Sequence, residues 1–216
     1  MGIKVILTDD HAMLRHGLSR SFEQEEGVEI VGQASDGYMA IDLVKELSPD
    51  LVIMDIGMAG LNGIETTRRI THDFPNVKII GLSMHSSDKY VREMFRAGAS
   101  GYLLKNCAFE ELVEAVRTVV SGKTYISPAI GDMVIKEYTS KESEDKSIFS
   151  VLSQREREVL QLLAEGKTTK QIGQALFISP KTVEAHRLRI MDKLQIDNIA
   201  QLTKFAIQEG ITEPEP

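Results

Sequence analysis

Residues 3–10 read IKVILTDD and residues 50–55 read DLVIMD, two short β-branched apolar runs that each close on acid at the carboxyl side. Runs that are apolar at nearly every position suit strands covered on both faces, as in a parallel sheet. Side by side in one sheet, they bring Asp9, Asp10 and Asp55 together at its carboxyl edge, where open α/β sheets bind ligands. Three acids so placed repel one another unless a cation neutralises them. An oxygen-ligand ion such as Mg²⁺ fits best, because no Cys or His is read at metal-ligand spacing nearby.

The remaining runs extend the pattern. VKIIGLS (77–83) ends in Ser83 and GYLLK (101–105) ends in Lys105, which adds a hydroxyl and an ammonium to the same rim. An anion site then lies beside a metal site. The economical chemistry is attack by one carboxylate on a phosphoryl group, giving an aspartyl phosphate whose oxygens are balanced by Mg²⁺ and Lys105.

Between the runs lie amphipathic stretches: HAMLRHGLSRSFEQ, GYMAIDLVKEL, GIETTRRITHDF, KYVREMFRAG and FEELVEAVRTVVSG. Five strand-helix units over residues 1–122 predict a doubly wound parallel five-stranded sheet with right-handed crossovers. Residues 123–150 contain TSKESEDKS, polar, charged and without periodicity, and are read as a linker.

Residues 151–212 contain no strand-like run and several helix starts. Ser153 with Glu156 forms a capping box ahead of REREVLQLLAEG, with Gly166 placed to stop the helix. Thr168 with Gln171 repeats the box for KQIGQAL, and Ser179-Pro180 opens KTVEAHRLRIMDKL with an N-cap and a first-turn proline. A short helix, a tight turn and a longer capped helix make a helix-turn-helix in a small all-α domain, closed by IAQLTKFAIQ.

On the third helix, Val183, Arg187, Ile190 and Leu194 share the stripe expected to pack inward. Lys181, Ala185 and Leu188 face the other way, flanked by Glu184 and Arg189. In a major groove Lys181 reaches guanine or phosphate, Glu184 accepts from cytosine N4, and Ala185 or Leu188 meets a thymine methyl. Lys170, Thr182, Arg189 and Lys193 are placed for phosphates, which position the domain without reading sequence.

Composition sets the bounds. Of 216 residues, 42% are hydrophobic and 26% charged, as in soluble globular proteins of one or two domains. The net charge of -7 argues against a nonspecific nucleic-acid binder. It conceals an asymmetry, since residues 151–212 hold nine Lys/Arg against seven Asp/Glu. No apolar stretch approaches the ~20 residues of a membrane span and no signal peptide opens the chain, so a cytoplasmic address away from membranes is expected. Cys107, the sole cysteine, excludes an internal disulfide and is read as a small buried hydrophobe. His11, His16 and His72 are read as surface or capping residues and His186 as structural. Two GKT tripeptides lack the upstream glycine of a phosphate-binding loop, with Arg117 and Gln161 in its place.

Together these residues resemble two-component response regulators of the NarL/FixJ type, a flavodoxin-like receiver domain followed by a LuxR-type helix-turn-helix. The resembling stretches are DDHAMLRHGL, PDLVIMDIGMAGLNGIE, GLSMH, AGASGYLLK, LSQREREVLQLLAEG, KQIGQALFISPKTVEAH and IMDKL. The resemblance implies Asp55 as phosphoryl acceptor, Asp10 as direct Mg²⁺ ligand, Asp9 acting through water, and the Gly57 carbonyl as a further ligand. Ser83 and Lys105 would contact the phosphoryl oxygens, and Tyr102 would be the aromatic switch that moves inward. Gly57 and His85 occupy positions that tune aspartyl-phosphate lifetime. A sensor histidine kinase is the implied donor, double-stranded DNA and a phosphorylation-induced homodimer the implied partners, and no catalytic turnover beyond the receiver's own phosphoryl transfer and dephosphorylation is expected.

The chain departs from the family pattern at Ala59, where proline is usual, at Thr169, where asparagine is common, at Gly173, where alanine is usual, and at Glu184, where lysine is common. The last implies a different operator. Two rivals compete with this reading. A phosphohydrolase of the haloacid dehalogenase kind shares the aspartyl phosphate but wants D-x-D at the first strand, where Asp9-Asp10 stands. A protein-binding switch would keep the receiver and use the second domain as an adaptor.

Overall fold

The computed structural model describes residues 2–84, 88–131 and 151–212. The chain divides into two compact units, Met1–Glu142 and Ser143–Pro216. In the first, β1 (Ile3–Thr8), α1 (Ala12–Phe22), β2 (Val28–Ala34), α2 (Gly37–Leu47), β3 (Leu51–Asp55), α3 (Gly63–Asp73), β4 (Lys78–Ser83), α4 (Asp88–Arg96), β5 (Gly101–Leu104), α5 (Phe109–Val120) and β6 (Tyr125–Ile126) follow in order. All strand pairs are parallel, in the order β2-β1-β3-β4-β5-β6. The chain turns back on itself between β1 and β3, so their carboxyl ends open a crevice at the switch point.

The sheet has six strands where five were expected. Tyr125–Ile126 lies within the stretch read as linker and is too short to show a period. It becomes a strand because β5 would otherwise be an open edge: Tyr125 N–H donates to Ser100 O and Ser127 N–H to Tyr102 O, both at 3.0 Å.

Both sheet faces are covered, which accounts for the continuous apolar runs. On one face Val5, Leu7, Ile53, Ile80, Leu82 and Leu103 pack with Phe22 of α1 and Leu112, Val116 and Val119 of α5. Phe22 and Phe109 meet edge to face there, 4.9 Å between centroids at 70°. Cys107, read as a small buried hydrophobe, packs against this cluster but is half-buried.

The loop after β3 is drawn tight. Asn62 caps α3 by accepting from Glu65 N–H at 2.9 Å. A Cβ on Gly63 would stand 2.0 Å from the Asp55 carbonyl oxygen, so only glycine lets α3 begin against the end of β3.

The second unit contains α6 (Gln154–Ala164), α7 (Thr169–Ala175), α8 (Pro180–Leu194) and α9 (Ile199–Gln208) among its described residues. Both capping boxes form, Ser153 with Glu156 and Thr168 with Gln171, and Ser179 caps α8 ahead of Pro180. Gly166 follows α6 at φ 72°, a left-handed turn that ends the helix. Val159, Leu160, Ile172, Leu176, Val183, Ile190, Leu202 and Ala206 form the core. Of the inward stripe read on α8, Val183 and Ile190 are fully buried, while Arg187 and Leu194 sit at its margin. No helix among the described residues is long and apolar enough to cross a membrane.

Candidate functional site

Asp9 follows β1 directly and Asp55 ends β3. Parallel pairing of Thr8 with Met54 therefore sets the two acids on neighbouring strand ends. Both are nearly sealed from solvent, 4% and 3% exposed. Lys105, following β5, has its N–H bonded to the Ser83 carbonyl at 2.7 Å, and its side chain reaches across β4 to both acids. Nζ lies 2.8 Å from Asp9 Oδ2 and 2.7 Å from Asp55 Oδ2. One ammonium thus serves two buried carboxylates.

That shortage of positive charge sets the electrostatics. Burial pushes the Asp55 carboxyl up to about 6, and repulsion from Asp9 adds to the rise, against the opposing pull of Lys105 and the Gly57 N–H. Burial alone would lower Lys105, yet Asp55 and Asp9 outweigh it and hold the ammonium above its ordinary value. Gly57, expected to turn its carbonyl to an ion, is held beside Asp55 by its N–H to Asp55 Oδ1 at 3.2 Å.

Asp10 completes the acid group at the crevice mouth. Its Oδ1 lies 2.9 Å from His11 Nδ1, which also stands 3.2 Å from Asp9 Oδ1, and the His11 N–H donates to that same oxygen at 2.7 Å. Asp9, Asp10, His11 and Asp55 each present one donor atom within 4.8 Å of the others. His11 is exposed at the N-cap of α1, the surface or capping place expected of it, yet its ring adjoins the acids, where no histidine was read at metal-ligand spacing. His11 precedes α1 and caps it with no side-chain bond, which leaves the ring free to turn toward the acids. Its place directly after Asp9-Asp10 was the available signal. Three carboxylates against one ammonium leave a net negative pocket of oxygen donors, which fits a hard dication.

Ser83 ends β4 buried at the same rim. Tyr102, on β5, is fully buried, and its hydroxyl is hydrogen-bonded with Ser83; burial pushes its phenol well above the ordinary range, against the opposing effect of Ser83. The inward position expected to follow phosphorylation is the one held here. Its cross-strand partner is Gly81, where an added Cβ would stand 3.5 Å from the ring and 2.8 Å from Met94 Cε. His85, expected to tune phosphoryl lifetime, lies outside the described residues.

In the second unit the residues expected at DNA divide in two. Lys170, Lys181, Thr182, Ala185, Leu188 and Arg189 are exposed. Thr182 shares a hydrogen bond with the Ser179 hydroxyl at 2.8 Å, so its side chain belongs to the α8 cap. Lys193 and Glu184 are engaged within the domain. Lys193 Nζ contacts Glu156 Oε2 at 2.7 Å, and Glu184 accepts from Thr169 Oγ1 at 2.7 Å while facing Arg187 at 3.0 Å. His186 is half-buried on the same helix, as expected of a structural histidine.

Comparison with known proteins covers both units. Residues 5–117 match the response regulator receiver domain and residues 150–206 match the bacterial regulatory proteins of the luxR family. The transcriptional regulatory protein DegU of Brevibacillus brevis is 37% identical over 96% of this chain and 94% of its own length. The oxygen regulatory protein NreC of Staphylococcus carnosus is 38% identical over 98% of this chain and 100% of its own. Among solved structures, RcsB from Salmonella enterica serovar Typhimurium, bound to promoter rprA with the phosphomimetic BeF3-, superposes at TM-score 0.63 with 26% identity, covering 95% of this chain and 98% of that one. A LuxR-family two-component response regulator from Aurantimonas superposes at TM-score 0.62 with 34% identity, over 64% of this chain and 99% of that one.

Proposed function

Since this chain belongs to the two-component response regulators, transcription regulators that join a receiver domain to a LuxR-type DNA-binding domain, we propose that Asp55 is its phosphoryl acceptor and that phosphorylation there governs DNA binding. The observation that carries this is Lys105 held between Asp9 and Asp55 at 2.8 and 2.7 Å at the carboxyl edge of the sheet.

In this reading a sensor histidine kinase, or a small phosphodonor, supplies the phosphoryl group. An Asp55 carboxylate oxygen attacks phosphorus, the new O–P bond forms as the bond to the leaving group breaks, and the electron pair leaves with the donor's nitrogen or oxygen. Lys105 exchanges its contact with Asp55 for a phosphoryl oxygen, and the Ser83 hydroxyl donates to another. Asp9, Asp10, Asp55 and the Gly57 carbonyl are the groups that would hold Mg²⁺, with His11 beside them. Mg²⁺ supplies charge compensation for the phosphoryl oxygens. Hydrolysis of the same bond resets Asp55, and this is the only turnover assigned to the chain.

Drawing Ser83 toward the phosphoryl group alters its bond with Tyr102, and so the surface formed by α4 and β5. Residues 1–122, extended by β6, act as receiver and residues 151–212 as effector. A phosphorylated homodimer, with α9 as the effector interface, places two copies of α8 in successive major grooves about 10 base pairs apart or at a related spacing. Exposed Lys170, Lys181 and Arg189 anchor phosphates, with Ala185 and Leu188 turned to the bases.

The test is retention of genomic DNA fragments by wild type and Asp55→Ala, with and without acetyl phosphate and Mg²⁺. Enrichment that depends on the phosphodonor and is lost in Asp55→Ala supports the reading. Equal enrichment in all four samples removes Asp55 from control of the DNA-binding domain, and none at all favours an adaptor.

A further inference from the structure

Glu184 is the acid in the N-terminal half of α8, partly exposed on the flank of its outer face, with Lys181 one turn before it and Leu188 one turn after. Near DNA phosphates an unrestrained carboxylate there is repelled and must lose side-chain freedom to bind anything. Neither holds in this domain. Thr169 Oγ1, at the first turn of α7, donates to Glu184 Oε1 at 2.7 Å, and Arg187 Nη2 lies 3.0 Å from Oε2. The hydroxyl comes from a different helix, so it fixes the carboxylate relative to the whole helix-turn-helix. The guanidinium offsets its charge.

An ionised carboxylate has about four acceptor positions, and these two contacts occupy one on each oxygen. The side chain remains 39% exposed, so acceptor positions are left facing out. Such a group accepts hydrogen bonds and donates none. In a major groove it fits a base that presents an amino group, cytosine N4 or adenine N6, and opposes guanine and thymine, whose edges there carry acceptors.

We propose that Thr169 is a positioning residue for base reading: it holds Glu184 in the one orientation in which its carboxylate selects an amino-bearing base within each half-site. This rests on the DNA-binding function proposed above and adds to it the residue that sets specificity and the base chemistry selected. Thr169 does this without capping its own helix, because the capping box of α7 is made by Thr168 and Gln171.

The experiment is binding of the full chain, treated with acetyl phosphate and Mg²⁺, to randomised DNA followed by sequencing, for wild type, Thr169→Val, Thr169→Ser and Glu184→Ala. Wild type and Thr169→Ser should share a preference for cytosine or adenine at one position of each half-site. Glu184→Ala should abolish it, and Thr169→Val should weaken it by roughly five- to tenfold at that position alone, a fraction of a good base contact. The slope of affinity against salt should stay the same in all four, since no phosphate contact is touched. Glu184→Ala with an unchanged profile overturns the proposal, as does Thr169→Val with a wild-type profile. If Thr169→Ser fails like Thr169→Val, the hydroxyl is not the positioning group and the proposal is overturned. Failure of wild type to enrich any sequence removes the DNA-binding reading itself, a different result from enrichment without base selection.

Discussion

Gly81 and Tyr102 are cross-strand partners on β4 and β5, and a Cβ built on Gly81 would stand 3.5 Å from the tyrosine ring. Buried Tyr102 lies over the strand position that carries no side chain, with its hydroxyl bonded to Ser83. A Cβ there would also stand 2.8 Å from Met94 Cε, so even a methyl group displaces the end of that flexible side chain, and a longer one competes with the ring as well. Gly81→Leu is expected to expel Tyr102 and cost about 1–3 kcal/mol by overpacking. In 3-fluorotyrosine-labelled protein the Tyr102 ¹⁹F resonance should move to a solvent-exposed shift; an unmoved resonance would show that Gly81 does not make the room for the ring.

The raised Asp55 pKa gives stability a pH dependence of known sign. Because its folded value of about 6 exceeds the ordinary value of 3.8, Asp55 favours the fold most below about pH 4, and that contribution fades as pH rises through about 6. Two pKa units correspond to about 3 kcal/mol, an upper figure for metal-free protein. A cation held by the ionised carboxylate restores it, so Mg²⁺ should raise the melting temperature at pH 8 and hardly at all at pH 5. Asp55→Asn should flatten both dependences, and a Mg²⁺ effect equal at the two pH values would remove Asp55 from the cation site.

Lys193 presents a choice between structure and DNA. Its ammonium is bonded to Glu156, whose carboxyl burial alone would raise but which Lys193 and the Ser153 cap hold below its ordinary value. That contribution is present above the unfolded pKa of Glu156 and is lost as pH falls through the lower folded one. Lys193→Met should cost about 1 kcal/mol at pH 7, discounted because the lysine is 40% exposed. Its slope of log affinity against log salt should equal that of wild type, whereas Arg189→Met should reduce the slope by about 1. A reduced slope for Lys193→Met would return it to the phosphates.

Phe177, in the turn between α7 and α8, combines φ 54° with 95% exposure. Left-handed backbone costs a bulky residue about 1–2 kcal/mol, and asparagine tolerates it better. Phe177→Asn is expected to stabilise the protein by about 1 kcal/mol in chemical denaturation. A loss of stability would mean that the ring is held by contacts in the folded protein.

The acid pair at β1, Asp55 at β3 and the Ser83 and Lys105 strand ends were legible because a parallel sheet aligns the ends of apolar runs whatever the details of packing. The helix caps were legible for a related reason: a capping box is made within four residues and needs no tertiary partner. β6 was not, since two residues carry no period and the strand exists only because β5 leaves an edge to pair. His11 stands exposed at the N-cap of α1, as read, but its contact with the acids was not legible, because only the folded loop turns its ring to Asp9 and Asp10.

By itself the sequence determined which groups stand at the sheet's rim and where each effector helix begins, since both follow from local periodicity and short-range capping. Only the tertiary structure decided who pairs with whom: Lys105 with both Asp9 and Asp55, Tyr102 beneath Ser83, Lys193 with Glu156, and Glu184 between Thr169 and Arg187. Most of those partners lie many residues apart. Their pairing depends on burial and on the direction of side chains across neighbouring elements, neither of which a linear pattern encodes.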